Sequence, residues 1–78
     1  MSKDDLEYEV ILKLAKALES ARETQQVSKR ELSQRTGVSR TAIRTIEQGQ
    51  RQPSVYILLK ICKGLEIDLW KLLKEATT

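Results

Sequence analysis

The feature that most constrains this chain is a glycine turn between two short amphipathic segments, KRELSQRTGVSRTAIRTIEQGQR, from Lys29 to Arg51. Ser28 and Glu31 have the Ser-x-x-Glu spacing of a capping box, which occupies free backbone donors at a helix start. Leu32 is the first apolar residue to be buried. Thr36-Gly37 ends the segment, because glycine reaches the left-handed conformation without a Cβ clash. Val38 is expected to fill the corner, and Ser39 to cap a second helix whose Ile43 and Ile46 share a buried face. Arg40, Thr41, Arg44 and Thr45 then point outward. A short helix that exposes guanidinium forks and hydroxyls suits base edges and phosphates. The segment is therefore expected to read DNA.

Charge falls where that reading needs it. The chain has 78 residues and a formal net charge of +3, a size that suits one domain spanning 1–78. Residues 29–51 hold six basic and two acidic side chains, a net of +4, whereas residues 1–28 sum to −2 and residues 52–78 to +1. An electrostatic footprint for nucleic acid is concentrated in this way. There is no histidine and a single cysteine, Cys62, which excludes an intrachain disulfide, a Cys/His zinc site and a histidine general base. Without a Gly-rich phosphate loop or a metal-holding acidic cluster, no enzyme, metal or cofactor is expected. The acidic start MSKDDLEYE is unlike a signal or transit peptide, and no apolar run approaches membrane-spanning length, so a cytoplasmic protein is expected.

The pattern predicts five helices and no strands. The first should run from Asp5 to Thr24 with Asp4 as its cap, burying Leu6, Val10, Ile11, Leu14, Leu18 and Ala21 along one stripe. Val27 should tuck under the connection that follows. The helix pair of the opening segment spans about 29–48. Gly49 ends its second member, and Pro53 keeps Gln52 out of helix. Ser54 should cap a fourth helix with Val55, Leu58, Leu59, Ile61, Cys62 and Leu65 in its core. Asp68 should cap a fifth, burying Leu69, Leu72 and Leu73, while Ala76, Thr77 and Thr78 fray. Cys62, on the inner side of the fourth helix, reads as a small buried hydrophobe.

From Leu14 to Leu73 the chain resembles the phage-repressor type of helix-turn-helix domain, the Cro and lambda-repressor class. The turn Gly37-Val38-Ser39, the buried Ile43 and Ile46, the ending Ile46-Glu47-Gln48-Gly49 and the start Pro53-Ser54 all fall in register. The resemblance implies a compact all-α, five-helix domain, here with an extended first helix, whose third helix enters the major groove. Carried over by residue, Arg40, Thr41, Arg44 and Thr45 become the base readers. Lys29, Arg30, Ser39, Gln48, Gln50 and Arg51 become phosphate contacts, and Arg22 and Glu47 become an ion pair between helices one and three. The chain departs from the pattern at Ser33, at Gly64 and Glu66 near the fourth corner, and at Tyr56, Ile57 and Trp70, which replace polar residues.

The function expected from this resemblance is a transcriptional regulator bound to double-stranded DNA as a homodimer on a palindromic operator. Ile67, Leu69 and Trp70 are the candidate dimer contact. The opposing reading of Tyr56 and Trp70 is that the extended first helix covers them inside the monomer. The alternative function is an antitoxin-like or restriction–modification controller protein whose DNA binding is autoregulatory; the antitoxin-like form would add a protein partner. No membrane partner is expected.

Overall fold

A computed structural model describes residues 3–77, and over these residues the chain forms five helices: α1 (Lys3–Thr24), α2 (Lys29–Thr36), α3 (Arg40–Glu47), α4 (Val55–Gly64) and α5 (Leu69–Thr77). Helix α1 packs along α5 and against α3, while α2 bridges α3 and α4. The long first helix makes the domain elongated, 39 × 23 × 21 Å. One core holds it together, with Leu18, Leu32, Ile43, Ile46 and Leu65 almost completely enclosed and Leu14, Val27, Val38, Leu58, Ile61, Cys62 and Leu72 around them.

The helix starts follow the sequence closely. The hydroxyls of Ser28, Ser39 and Ser54 each accept a hydrogen bond from the amide three residues on, at 3.0, 3.0 and 3.1 Å. Asp68 accepts from the Trp70 amide at 2.8 Å. The Ser28 box is closed differently from the expected pattern, with the serine hydroxyl at 3.4 Å from the Glu31 carboxylate.

The helix ends share one device. After α1, α3 and α4, paired backbone bonds close the last turn in a Schellman arrangement, such as Gly49 N to Ile46 O and Gln50 N to Thr45 O. The left-handed residue is Gly49 after α3, but Gln26 (φ 58°) after α1 and Glu66 (φ 55°) after α4. The α4–α5 corner thus keeps the family shape without its glycine, at a cost on the order of 1–3 kcal/mol in backbone strain. Gly64 serves a different need. A Cβ there would lie 2.5 Å from Thr36 Cγ2 and 3.2 Å from Leu32 Cδ1, so its absence lets α2 and α4 approach.

Several expectations are corrected. Helix α1 already includes Lys3 and Asp4, so Asp4 does not stand at its boundary. Leu6 is exposed because the first turns of α1 project beyond the body that would cover them. Val55 and Leu59 are also exposed: α4 is apolar on nearly every side, and only Leu58, Ile61 and Cys62 turn inward. Leu69 and Leu73 are half-buried, packed against the core beside the buried Leu72. Ala76 is buried rather than frayed, because α5 continues to Thr77 against α1; Thr78 lies outside the described residues. Trp70 and Tyr56 are 72% and 65% exposed, so α1 does not cover them. No helix among the described residues is long and apolar enough to cross a membrane.

Candidate nucleic-acid interface

Two caps and one left-handed glycine fix the helix pair. The Gly37 amide donates to Ser33 O at 2.8 Å with φ 77°, and Thr36 Oγ1 donates to Leu32 O while accepting from the Val38 amide. The chain then turns sharply enough for Val38 to enter the core and for Ser39 to start α3. Buried Ala42, Ile43 and Ile46 hold one side of α3 to the body. Arg40, Thr41 and Arg44 are left exposed on the other.

Residues from two helices meet there. Lys29 and Arg30, at the start of α2, line a concave surface of about 390 Å³ together with Arg40, Thr41 and Arg44 of α3. Four cations and one hydroxyl converge on it, and no carboxylate lines it. The first-turn amides of a helix also point toward its N-terminal end and add partial positive charge. Such a concavity attracts phosphate oxygens, and the arginine forks can pair bidentately with phosphate or with a guanine edge. The sequence treated Lys29 and Arg30 apart from the α3 residues; the fold puts them in one cleft.

The remaining candidates stand differently. Thr45 is half-buried, and its hydroxyl lies 3.0 Å from both Thr41 O and Ala42 O, so its proton is committed to the helix. Ser39 is exposed, with its oxygen accepting from the Ala42 amide. Gln48, Gln50 and Arg51 are exposed at the far end of α3 and in the loop after it, outside the cleft. Arg35, basic but not singled out by the pattern, donates to Gly64 O at 3.2 Å and lies 3.9 Å from Glu31.

Behind the exposed face lies an ion pair. Arg22 Nε and Nη2 donate to the two Glu47 oxygens at 2.8 and 2.9 Å, and Arg22 Nη1 donates to Val27 O at 2.9 Å. Both residues are only 8% exposed. The Glu47 hydrogen bonds raise the Arg22 pKa above the ordinary guanidinium value, against the opposing effect of burial. One pair therefore ties α1, the connection after it and the last turn of α3. Leu12 adds a contact that the pattern did not disclose, since it lies where a Cβ on Gly49 would reach Leu12 Cδ2 at 2.6 Å. Its signal was only the absence of a side chain at 49. Among the described residues, no group of three or more His, Cys, Asp or Glu side chains could hold a metal ion.

The sequence and the fold both have relatives. A helix-turn-helix family model matches residues 18–69. Over 51 residues, 65% of this chain and 36% of the relative, the sequence is 41% identical to an uncharacterised helix-turn-helix-type transcriptional regulator of Mycobacterium tuberculosis. The chain spans about a third of the length of the curated relatives it matches. The restriction–modification controller protein C.AhdI from Aeromonas hydrophila superposes with a TM-score of 0.77 at 27% identity, over 80% of this chain and 94% of that one. The controller protein C.Esp1396I, solved as a tetramer in complex with its natural 35 base-pair operator, superposes with a TM-score of 0.78 at 25% identity, over 88% of this chain and 96% of that one.

Proposed function

Because the chain belongs to the helix-turn-helix family, we propose that it is a sequence-specific transcriptional regulator that inserts α3 into the major groove of double-stranded DNA. The observation that carries this reading is the convergence of Lys29, Arg30, Arg40, Thr41 and Arg44 on one concave, carboxylate-free surface. Arg40, Thr41 and Arg44 reach base edges from the first turns of α3. Thr45 contributes its methyl and lone pairs, its proton being used within the helix. Lys29 and Arg30, with Ser39 on one side and Gln48, Gln50 and Arg51 on the other, grip phosphates and set the docking angle. The Arg22–Glu47 pair keeps α3 at that angle.

The regulator works in the cytoplasm as a homodimer, because one short recognition helix covers too few base pairs for useful specificity. Symmetric half-sites would lie about 34–36 Å apart, one turn of the duplex. Of the three contact candidates, Ile67 and Leu69 are half-buried and packed against the core, so Trp70 is the side chain offered to a partner. An autoregulatory controller of a restriction–modification locus is the second reading. The likeness to C.AhdI and to the operator-bound C.Esp1396I supports it.

Selection from random duplex DNA tests the proposal. A palindromic consensus with half-sites one turn apart is expected. Affinity for it should fall with salt at a slope of about −0.9 per phosphate contacted. Recovery of no sequence above background, with weak binding alike to all duplexes, would reject the reading.

A further inference from the structure

The large apolar side chains most open to solvent fall in two places. Leu6 and Tyr8 lie in the first turns of α1, and Val55, Tyr56, Leu59 and Trp70 lie in α4 and α5; α2 and α3 contribute none. Contiguous exposed apolar surface of this kind marks an interaction site. The two places border one loop. Leu6, Glu7, Val10 and Ile11 line a groove with Gln52, and only Pro53 and the Ser54 cap separate Gln52 from Val55.

Their charges are opposite. The exposed carboxylates Asp5, Glu7 and Glu9 surround Leu6 and Tyr8, with Glu9 3.6 Å from Lys13. Helix α4 carries Lys60 and Lys63 and no carboxylate. Lys60 Nζ stands 4.6 Å from the centre of the Tyr56 ring, which places an ammonium on the apolar face. An acidic apolar helix end and a basic apolar helix face therefore sit side by side on one molecule. They cannot satisfy each other within it, because α1 is a single continuous helix from Lys3 to Thr24 and its start cannot fold back onto α4.

We propose that the partner is a second copy of this chain: around a two-fold axis, the first turns of α1 of each copy lie on α4 of the other. A two-fold interface needs adjacent patches on one surface that complement each other, since every contact then occurs twice. Leu6 and Tyr8 pack on Val55, Tyr56 and Leu59, while Glu7 and Glu9 face Lys60 and Lys63. The inference rests on the homodimer proposed above and extends its contact from α5 to both ends of this surface. The segment responsible precedes residue 18, where the family match begins.

A charge exchange tests it. In the Glu7→Lys/Glu9→Lys variant, the α1 end would repel α4 of a like partner; in the Lys60→Glu/Lys63→Glu variant, α4 would repel the α1 end. Each alone should self-associate at least about tenfold more weakly than wild type by sedimentation equilibrium. Mixed in equal amounts, the two should form heterodimers of near wild-type affinity, because both contacts become attractive. All these residues are surface-accessible, and circular dichroism should show unchanged helicity. Wild-type dimerisation by each variant alone, or no recovery on mixing, would overturn the inference. If Trp70→Ala were then the variant that dissociates, the homodimer would stand without the α1 contact. Wild-type protein that stays monomeric, free and on operator DNA, would defeat the homodimer itself.

Discussion

Helices α3 and α4 are built on the same plan and present opposite chemistry. Each follows a serine cap with an extended backbone, each buries an isoleucine-containing face, and each ends in paired backbone bonds around a left-handed residue. The open side of α3 carries Arg40, Thr41 and Arg44, whereas that of α4 carries Val55, Tyr56 and Leu59. Local rules of capping and periodicity make both helices. What each helix is for is set by the residues those rules leave over. Guanidinium groups left over on α3 suit a polyanion, and apolar side chains left over on α4 suit another protein surface.

Unclamping α3 gives the largest expected effect. Replacing Glu47 with alanine would leave the buried Arg22 guanidinium without its carboxylate, costing about 3–5 kcal/mol of stability. Thermal unfolding of both single variants and the Arg22→Met/Glu47→Leu double variant would isolate the coupling. A cost below about 1 kcal/mol for either single change would mean that the pair behaves as a surface contact, and that α3 is held by its apolar side alone.

A second way to break the contrast acts within α4. Leu58 is buried and its neighbour Leu59 is half exposed. Leu58→Ala should cost about 2–5 kcal/mol through transfer and cavity terms, while Leu59→Ala should stay within about 0.5 kcal/mol in the monomer. Equal losses by denaturant unfolding, at concentrations where the protein is monomeric, would show that the open side of α4 belongs to the core.

The helix ends sharpen the comparison further. Helix α3 ends at Gly49, α4 at Glu66, with both residues left-handed. Glu66→Gly relieves a side-chain clash but adds freedom to the unfolded chain, so a net gain of roughly 0.5–1 kcal/mol is expected. A lower unfolding midpoint would mean that the Glu66 side chain itself stabilises the corner.

The smallest effect concerns Cys62 on the inner side of α4. Burial, and secondarily the negative charge of Asp68, raises its thiol pKa. The folded state therefore holds the thiol proton to higher pH than the unfolded state. The resulting stability is complete below the ordinary thiol pKa, near 8.5, and is lost as pH climbs through the raised value. The stability difference between wild type and Cys62→Ala should shrink between about pH 7 and about pH 10, by less than about 1 kcal/mol. A difference that widened with pH would place the thiol in contact with a cation.

These two helices also explain how far the sequence could be read. In α3 the apolar residues are confined to Ala42, Ile43 and Ile46, so the pattern leaves one orientation, and the exposed face was legible residue by residue. In α4 nearly every position from Val55 to Cys62 is apolar. No stripe exists there to choose a face, and Val55 and Leu59 were assigned to a core that has no room for them. Leu6 continues the stripe of α1, but periodicity says nothing about whether a neighbour extends that far. Asp4 resembles a cap in type alone, whereas Ser28, Ser39 and Ser54 each precede a run with one buried side. At the interface, residue types and spacing disclosed Arg40, Thr41 and Arg44. Their meeting with Lys29 and Arg30 depended on the angle between α2 and α3, which only the packed fold supplies.

The central claim is that α3 reads bases and the start of α2 positions the protein. The most direct measurement is selection from random duplex DNA by wild type, Arg40→Ala and Arg30→Ala, with the salt dependence of binding to the selected site. Arg40→Ala should lose preference at one base pair in each half-site, worth about 1–3 kcal/mol. Arg30→Ala should keep the full consensus, weaken every sequence alike and lower the salt slope by about 1 per contact removed. A consensus unchanged in Arg40→Ala but altered in Arg30→Ala would reverse the assignment and contradict the account.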